Sequence, residues 1–282
     1  MNLAYTPTNR VTPEKSPMLY YKTFLAQKES DWVVLVHGAG GSSAIWFKQL
    51  RAFREAVNVL LVDLRGHGRS KDYHGPDGKY SLPSISSDII AVLDDVGIEA
   101  AHFVGVSLGT ILIRCVGEIA PERVKSMVMA GAITDFNAWA RFLVSLGHTL
   151  KYTVPFRPLY RMFAWIIMPG KRARESREVF REEAKKVSPD EFKRWLKLTK
   201  EVFGYLKEWA KSAGPCPILY VMGGHDYIFL EPAKELAERY SNQCLEVIEE
   251  SGHVCNVECP EKFNRTALAF INAPNRWSPS YS

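Results

Sequence analysis

The sequence predicts an α/β fold: a mostly parallel central sheet flanked by helices, with an inserted α-helical cap. Three observations lead there. Short apolar runs alternate with segments of helical periodicity along most of the chain. Residues 134–213 break that alternation and carry helical patterns alone. A serine between two glycines stands where one apolar run gives way to a helix pattern.

The apolar runs are Trp32–Val36, Val57–Val62, His102–Val106, Ser126–Ala130, Ile218–Met222 and Leu245–Ile248. They are rich in Val, Ile, Leu or aromatic residues, and Gly or Asp closes several of them, which is strand chemistry. The helix candidates are Ala44–Phe53, Leu82–Val96, Leu108–Ile119, Pro232–Tyr240 and Glu261–Ile271. Strands without polar alternation are buried on both faces, and alternation with helices makes the sheet parallel. Met18–Gln27 reads as an added antiparallel edge strand.

Residues 1–133 and 214–282 therefore form the expected core, and 134–213 the expected helical cap. Pro155, Pro158, Pro169, Gly170 and Pro189 mark turns inside the cap. Its many aromatics suggest an apolar pocket, with Phe136, Trp139 and Trp165 as the candidates for lining it. The cap segment Thr134–Lys211 holds 17 Lys and Arg against 9 Asp and Glu. A solvated helical face accounts for that excess more simply than an acidic partner does.

The 282 residues suit one large domain, or one core carrying an insertion. No arginine-rich stripe interleaves with stacking aromatics, so nucleic acid is not an expected partner. The five cysteines have no regular spacing and make no disulfide framework. His253, Cys255 and Cys259 lack the paired spacing of a zinc site, so no metal is expected. Met1–Lys15 has no apolar signal core and no stretch is long enough to span a bilayer; a cytoplasmic protein without stable membrane insertion is the expectation.

The sharpest chemical signal is Gly105-Val106-Ser107-Leu108-Gly109, at the end of one strand and the start of a helix. A tight strand-to-helix turn exposes a serine above the sheet, and small residues on either side let the backbone pass. A serine hydroxyl needs a base, and the base needs an orienting group. Downstream, Ser251-Gly252-His253 follows the last strand and offers the base. Asp226 follows the strand Ile218–Met222 and offers the carboxylate, with Asp135 as the rival acid. After the first parallel strand, His37-Gly38-Ala39-Gly40-Gly41 can turn a backbone N–H toward Ser107, so the N–H groups of Ala39 and Leu108 are the expected oxyanion hole.

His37–Gly40, Asp63-Leu64-Arg65-Gly66-His67-Gly68-Arg69-Ser70, Gly105–Gly109 and Gly252-His253 together resemble the α/β-hydrolase superfamily. They are most similar to its cap-bearing branch of esterases, monoacylglycerol-lipase-like enzymes, carbon–carbon bond hydrolases and cofactor-free haloperoxidases. The resemblance covers roughly Trp32–Ile133 and Cys216–Ile271 and stops short of the insert. It implies a structural role for Asp63–Ser70, and Ser107 departs from the aspartate-nucleophile members. The expected reaction is cleavage of carboxylic esters of small or medium apolar substrates through an acyl-enzyme, without a cofactor. Carbon–carbon or amide hydrolysis by the same residues, and ligand sensing on this fold, are the alternatives.

Overall fold

The computed structural model describes residues 18–26, 29–136, 138–150, 154 and 156–277. Among the described residues, seven strands make one sheet: β1 (Tyr21–Phe24), β2 (Trp32–Val36), β3 (Asn58–Val62), β4 (Ala101–Val106), β5 (Val124–Ala130), β6 (Ile218–Gly223) and β7 (Gln243–Ile248). Their spatial order is β1-β3-β2-β4-β5-β6-β7. β1 runs antiparallel to β3, and all other pairs are parallel.

Successive residues feed opposite faces of the sheet. Val34, Val36 and Phe103 pack into one apolar cluster, while Val33, Leu35, Val104 and Val106 pack into the other. Helices cover both clusters: α1 (Leu50–Ala56), α2 (Leu82–Val96) and α3 (Leu108–Ile119) precede or follow the central strands. α2 starts where Ser81 Oγ accepts the Ser84 N–H at 3.2 Å, and it stops at Gly97 with φ +81°. Its buried face is Leu82, Ile85, Ile89, Val92 and Leu93, the stripe expected of a helix laid on a sheet.

Between β5 and β6 stand four consecutive helices: α4 (Ala138–Leu150), α5 (Phe156–Ile167), α6 (Arg174–Ala184) and α7 (Pro189–Trp209). α8 (Leu230–Arg239), the single turn α9 (Cys255–Glu258) and α10 (Pro260–Asn272) follow β6 and β7 among the described residues. α7 turns Trp195, Leu198, Val202 and Leu206 inward. Ser188 caps it by accepting the Glu191 N–H at 3.1 Å. The Glu191 carboxylate is buried and accepts from Tyr80 Oη at 2.6 Å and from Trp195 Nε1 at 2.9 Å, fastening α7 to the segment before α2.

One expected helix is divided. Ala44–Phe53 becomes a 3₁₀ turn at Ser43–Trp46 followed by α1. Trp46 and Gln49 are both fully buried. Trp46 ends the 3₁₀ turn and Gln49 caps α1, where the Gln49 side chain donates to Asn256 O at 2.7 Å. All five cysteines are free thiols. Among the described residues no helix is long and apolar enough to cross a membrane, and no group of three or more His, Cys, Asp or Glu side chains could hold a metal ion.

Candidate active site

The carboxyl ends of the parallel strands open on one edge of the sheet, where α/β folds bind ligands. Strand register sets their relative height: Val36 pairs with Gly105, Val106 with Ala130, Ala130 with Val221, and Gly223 with Ile248. The segments that follow β2, β4, β6 and β7 therefore meet.

Ser107 lies between β4 and α3 with φ 54° and ψ −120°, the one non-glycine residue with positive φ among those described. Such a conformation costs about 1–3 kcal/mol and persists only when its surroundings fix it. Here they do. The Ser107 N–H donates to Ala130 O at 3.0 Å, and Ser107 O accepts from the Thr110 N–H at 2.9 Å and Thr110 Oγ1 at 2.6 Å. The flanking glycines are needed for close approach: a Cβ on Gly105 would fall 2.8 Å from the Gly109 carbonyl carbon, and one on Gly109 2.3 Å from Val36 O.

His253 and Asp226 come together with Ser107. His253 Nδ1 is 2.7 Å from Asp226 Oδ2, and His253 Nε2 is 3.0 Å from Ser107 Oγ. A carboxylate only accepts, so Nδ1 carries the hydrogen and Nε2 turns its lone pair to the serine hydroxyl. Asp226 and His253 are both buried. The other Asp226 oxygen accepts the Phe229 N–H at 3.2 Å, and the Phe229 ring lies 5.1 Å from the His253 ring. A hydroxyl bonded to an imidazole that a carboxylate orients is the arrangement that can deliver an alkoxide-like nucleophile. The rival acid Asp135 is elsewhere, half-exposed and paired with Arg141 at 3.1 Å.

The loop after β2 is braced by two buried imidazoles. His37 Nδ1–H donates to Gly38 O at 2.8 Å and its Nε2 accepts the Leu64 N–H at 3.0 Å. His67 Nδ1–H donates to Arg65 O at 2.7 Å and its Nε2 accepts the Gly40 N–H at 2.9 Å. Among the described residues, the N–H groups of Ala39 and Leu108 make no hydrogen bond. Leu108 opens α3, where a first-turn N–H has no partner inside the helix. Two unpaired donors beside a serine hydroxyl suit an oxygen that gains negative charge.

A model of the Alpha/beta hydrolase family matches residues 33–266. The chain belongs to the alpha/beta hydrolase family. Among the relatives of this alpha/beta hydrolase, a putative carbamate hydrolase RutD of Pseudomonas savastanoi pv. phaseolicola is 27% identical over 253 residues, covering 86% of this chain and 93% of its own. The 3-oxoadipate enol-lactonase 2 of Acinetobacter baylyi is 25% identical over 265 residues, covering 91% and 94%. In three dimensions, a hydrolase from Oleispira antarctica superposes with a TM-score of 0.78 at 17% identity, over 90% of this chain and 94% of the other.

A cavity of about 150 Å³ lies between the loops after β2 and β3, the start of α3, and helices α5 and α7. Ala39, Gly40 and Leu108 form its floor, and Tyr160, Phe192, Trp195 and Val202 are among its walls. The aromatics singled out in the sequence are placed differently. Phe136 is buried in the core, edge-on to Phe203 and Phe229, and does not line this cavity. Trp165 is 59% exposed beneath the Arg177 guanidinium, 4.3 Å from its ring centre, and also stands outside the lining. The Trp139 side chain lies outside the described residues. Signals for the walls were present in part: Trp195, Leu198 and Val202 recur at helical spacing, which marks one face of α7. A second, wider cleft of about 570 Å³ runs between Met168–Ala173 and the loops that carry Asp226 and His253.

Burial, and then the neighbouring His37, push the His67 imidazole down from its ordinary value to about 3; burial lowers His37 as well. Below about pH 6.5 the unfolded chain binds protons that these native imidazoles refuse. Stability contributed by their neutral forms is therefore complete above pH 6.5 and falls as pH drops toward 3. The slope reaches about 1.4 kcal/mol per pH unit for one histidine. Thermal melts from pH 7.5 to 4.5 should show the wild type losing stability more steeply than His67→Gln. Parallel curves would contradict this.

Proposed function

We propose that this chain is a serine hydrolase that cleaves carboxylic esters of small or medium apolar substrates through an acyl-enzyme intermediate. The observation that carries the reading is the continuous hydrogen-bonded chain Ser107–His253–Asp226, beginning at a backbone turn that exposes the serine. Ser107 Oγ attacks the ester carbonyl while His253 Nε2 takes its proton. Asp226 holds the His253 tautomer and stabilises the imidazolium. The N–H groups of Ala39 and Leu108 receive the oxyanion, and His253 then protonates the departing alcohol. Water, activated by the same imidazole, releases the acid and restores the serine. Every step uses groups of this chain, and no cofactor is called upon.

The cavity above Ala39 and Leu108 supports the substrate size. At about 150 Å³ it is below the roughly 300–1,000 Å³ of sites for drug-sized ligands, and its walls are mostly apolar. It suits a short acyl chain, with the insert acting as a cap over it. Support for hydrolysis comes also from the names of the relatives, which include a lactonase and a putative carbamate hydrolase.

Hydrolysis of p-nitrophenyl esters from acetate to laurate tests the reading. Expected are turnover that depends on Ser107 and a kcat/KM that peaks at short chains, falling at least about tenfold by laurate, since a small hydrophobic pocket discriminates by about 1–3 kcal/mol per misfitted group. Absence of turnover on every ester, in folded protein, would overturn it. Enlarging the pocket through Val202→Ala should move the optimum to longer chains; an unmoved optimum would separate this cavity from the acyl group.

A further inference from the structure

Ala39 lies between two peptide planes whose other polar groups are held. The Gly38 carbonyl accepts from His37 Nδ1–H at 2.8 Å and from the Gly41 N–H at 3.2 Å. In a planar trans peptide the C=O and N–H point oppositely, so fixing Gly38 O also fixes the direction of the Ala39 N–H. The following plane is gripped at both ends. Ala39 O accepts from Tyr160 Oη at 3.1 Å, and the Gly40 N–H donates to His67 Nε2 at 2.9 Å.

These two contacts come from opposite sides. His67 belongs to the loop after β3, whereas Tyr160 descends from α5 in the insert. Tyr160 is buried, with its ring stacked on Phe180 at a centroid distance of 4.3 Å and edge-on to Phe192 at 6.3 Å. The fit leaves no slack, because a Cβ on Gly40 would fall 1.6 Å from the Tyr160 oxygen. Burial keeps the phenol protonated and His67 neutral, so one remains a donor and the other an acceptor across the working pH range.

We propose that Tyr160 and His67 are positioning residues that clamp the Ala39–Gly40 peptide and thereby aim the Ala39 N–H at the developing oxyanion. Seating of α5 then completes the oxyanion hole. Catalysis and cap position are coupled through one peptide bond. The inference rests on the serine-hydrolase reading above and adds to it two residues that touch no reacting atom.

Three variants and two readouts test it in the full chain. Tyr160→Phe keeps the ring stack and removes the hydroxyl; His67→Leu removes the acceptor; His67→Gln supplies an amide oxygen in its place. Kinetics on p-nitrophenyl butyrate report aim, and amide hydrogen exchange of the segment around residues 37–41 reports the clamp. Outright loss of one oxyanion donor costs on the order of 10²–10³ in kcat, so a misaimed one should cost about 10- to 100-fold. Tyr160→Phe and His67→Leu are expected to lose that much kcat with KM changed less than about threefold, and to exchange faster at 37–41. His67→Gln is expected to recover most of what His67→Leu loses.

Unchanged kcat in Tyr160→Phe, a loss confined to KM, or a Gln variant as poor as Leu would overturn the positioning role. Unchanged exchange in Tyr160→Phe would remove the clamp itself. A wild type that turns over no ester defeats the hydrolase reading and the positioning role with it, while the exchange measurement still shows whether the clamp exists.

Discussion

Ser107→Ala is expected to lower kcat for a p-nitrophenyl ester by about 10⁴- to 10⁶-fold while leaving the protein folded. The side chain removed is one hydroxyl, and the backbone that shapes the turn is held by Ala130 O and Thr110 rather than by that hydroxyl. Thermal stability should therefore shift by less than about 1 kcal/mol, as for substitutions that remove no packing or buried charge partner. His253→Ala should lose activity on a similar scale. The double variant should be no worse than either single one, because a serine nucleophile and its base act as a unit. Additive losses would mean that the two residues serve separate steps.

Asp88→Ala carries the largest expected effect on stability. The Arg65 side chain is 1% exposed, and Asp88 Oδ1 accepts from its Nη2 at 2.8 Å while Asp88 Oδ2 accepts from its Nε. Arg65 Nη1 donates to Lys79 O at 2.6 Å, and Nη2 also reaches Ser84 O at 3.0 Å. Tyr73 and Tyr80 place their rings 5.9 and 5.7 Å from the guanidinium. Removing the carboxylate alone strands a buried cation, which costs about 3–5 kcal/mol. At about 2–4 °C per kcal/mol for a chain near this size, Tm should fall by roughly 6–20 °C. Replacing both partners by leucine should recover part of the loss, because no uncompensated charge then remains. A melting temperature within about 2 °C of wild type after Asp88→Ala would show that water or another group already serves the guanidinium.

The same stretch shows what a sequence can and cannot convey. Asp63–Ser70 resembles a structural turn of the family, and it is one: Asp63 Oδ1 accepts the Ser43 N–H at 2.7 Å and Oδ2 the Arg69 N–H at 2.8 Å. That His67 reaches across to Gly40 was invisible, because the contact depends on how two loops face each other at the end of the sheet. By contrast, the serine turn was legible, since glycines at two close-approach positions are a local requirement. Asp226 and His253 were placed by a simple consequence of parallel strands: residues that follow neighbouring strands gather at one edge.

The insert was the least legible part. Periodicity marks its helices but not which side of each faces the core when most of its helices mix aromatic and charged residues. Trp165, not Trp195, is the aromatic expected at the pocket, yet Trp165 is exposed under Arg177 and Trp195 donates to Glu191 in the interior. Burial of Glu191 decides the second case, and no local signal distinguishes a buried carboxylate from the many solvated ones in α6 and α7. Tyr160 carries no local signal for the same reason, since its contact with Ala39 O depends on how α5 meets the loop after β2.

The most direct test of the account is intact-mass analysis after treatment with a fluorophosphonate probe, followed by peptide mapping. One adduct per chain is expected, located on Ser107 and absent from both Ser107→Ala and His253→Ala, since only an imidazole-activated serine reacts at neutral pH. A folded wild-type protein that stays unlabelled, or that is labelled at another serine, would contradict the central claim that Ser107 is the nucleophile.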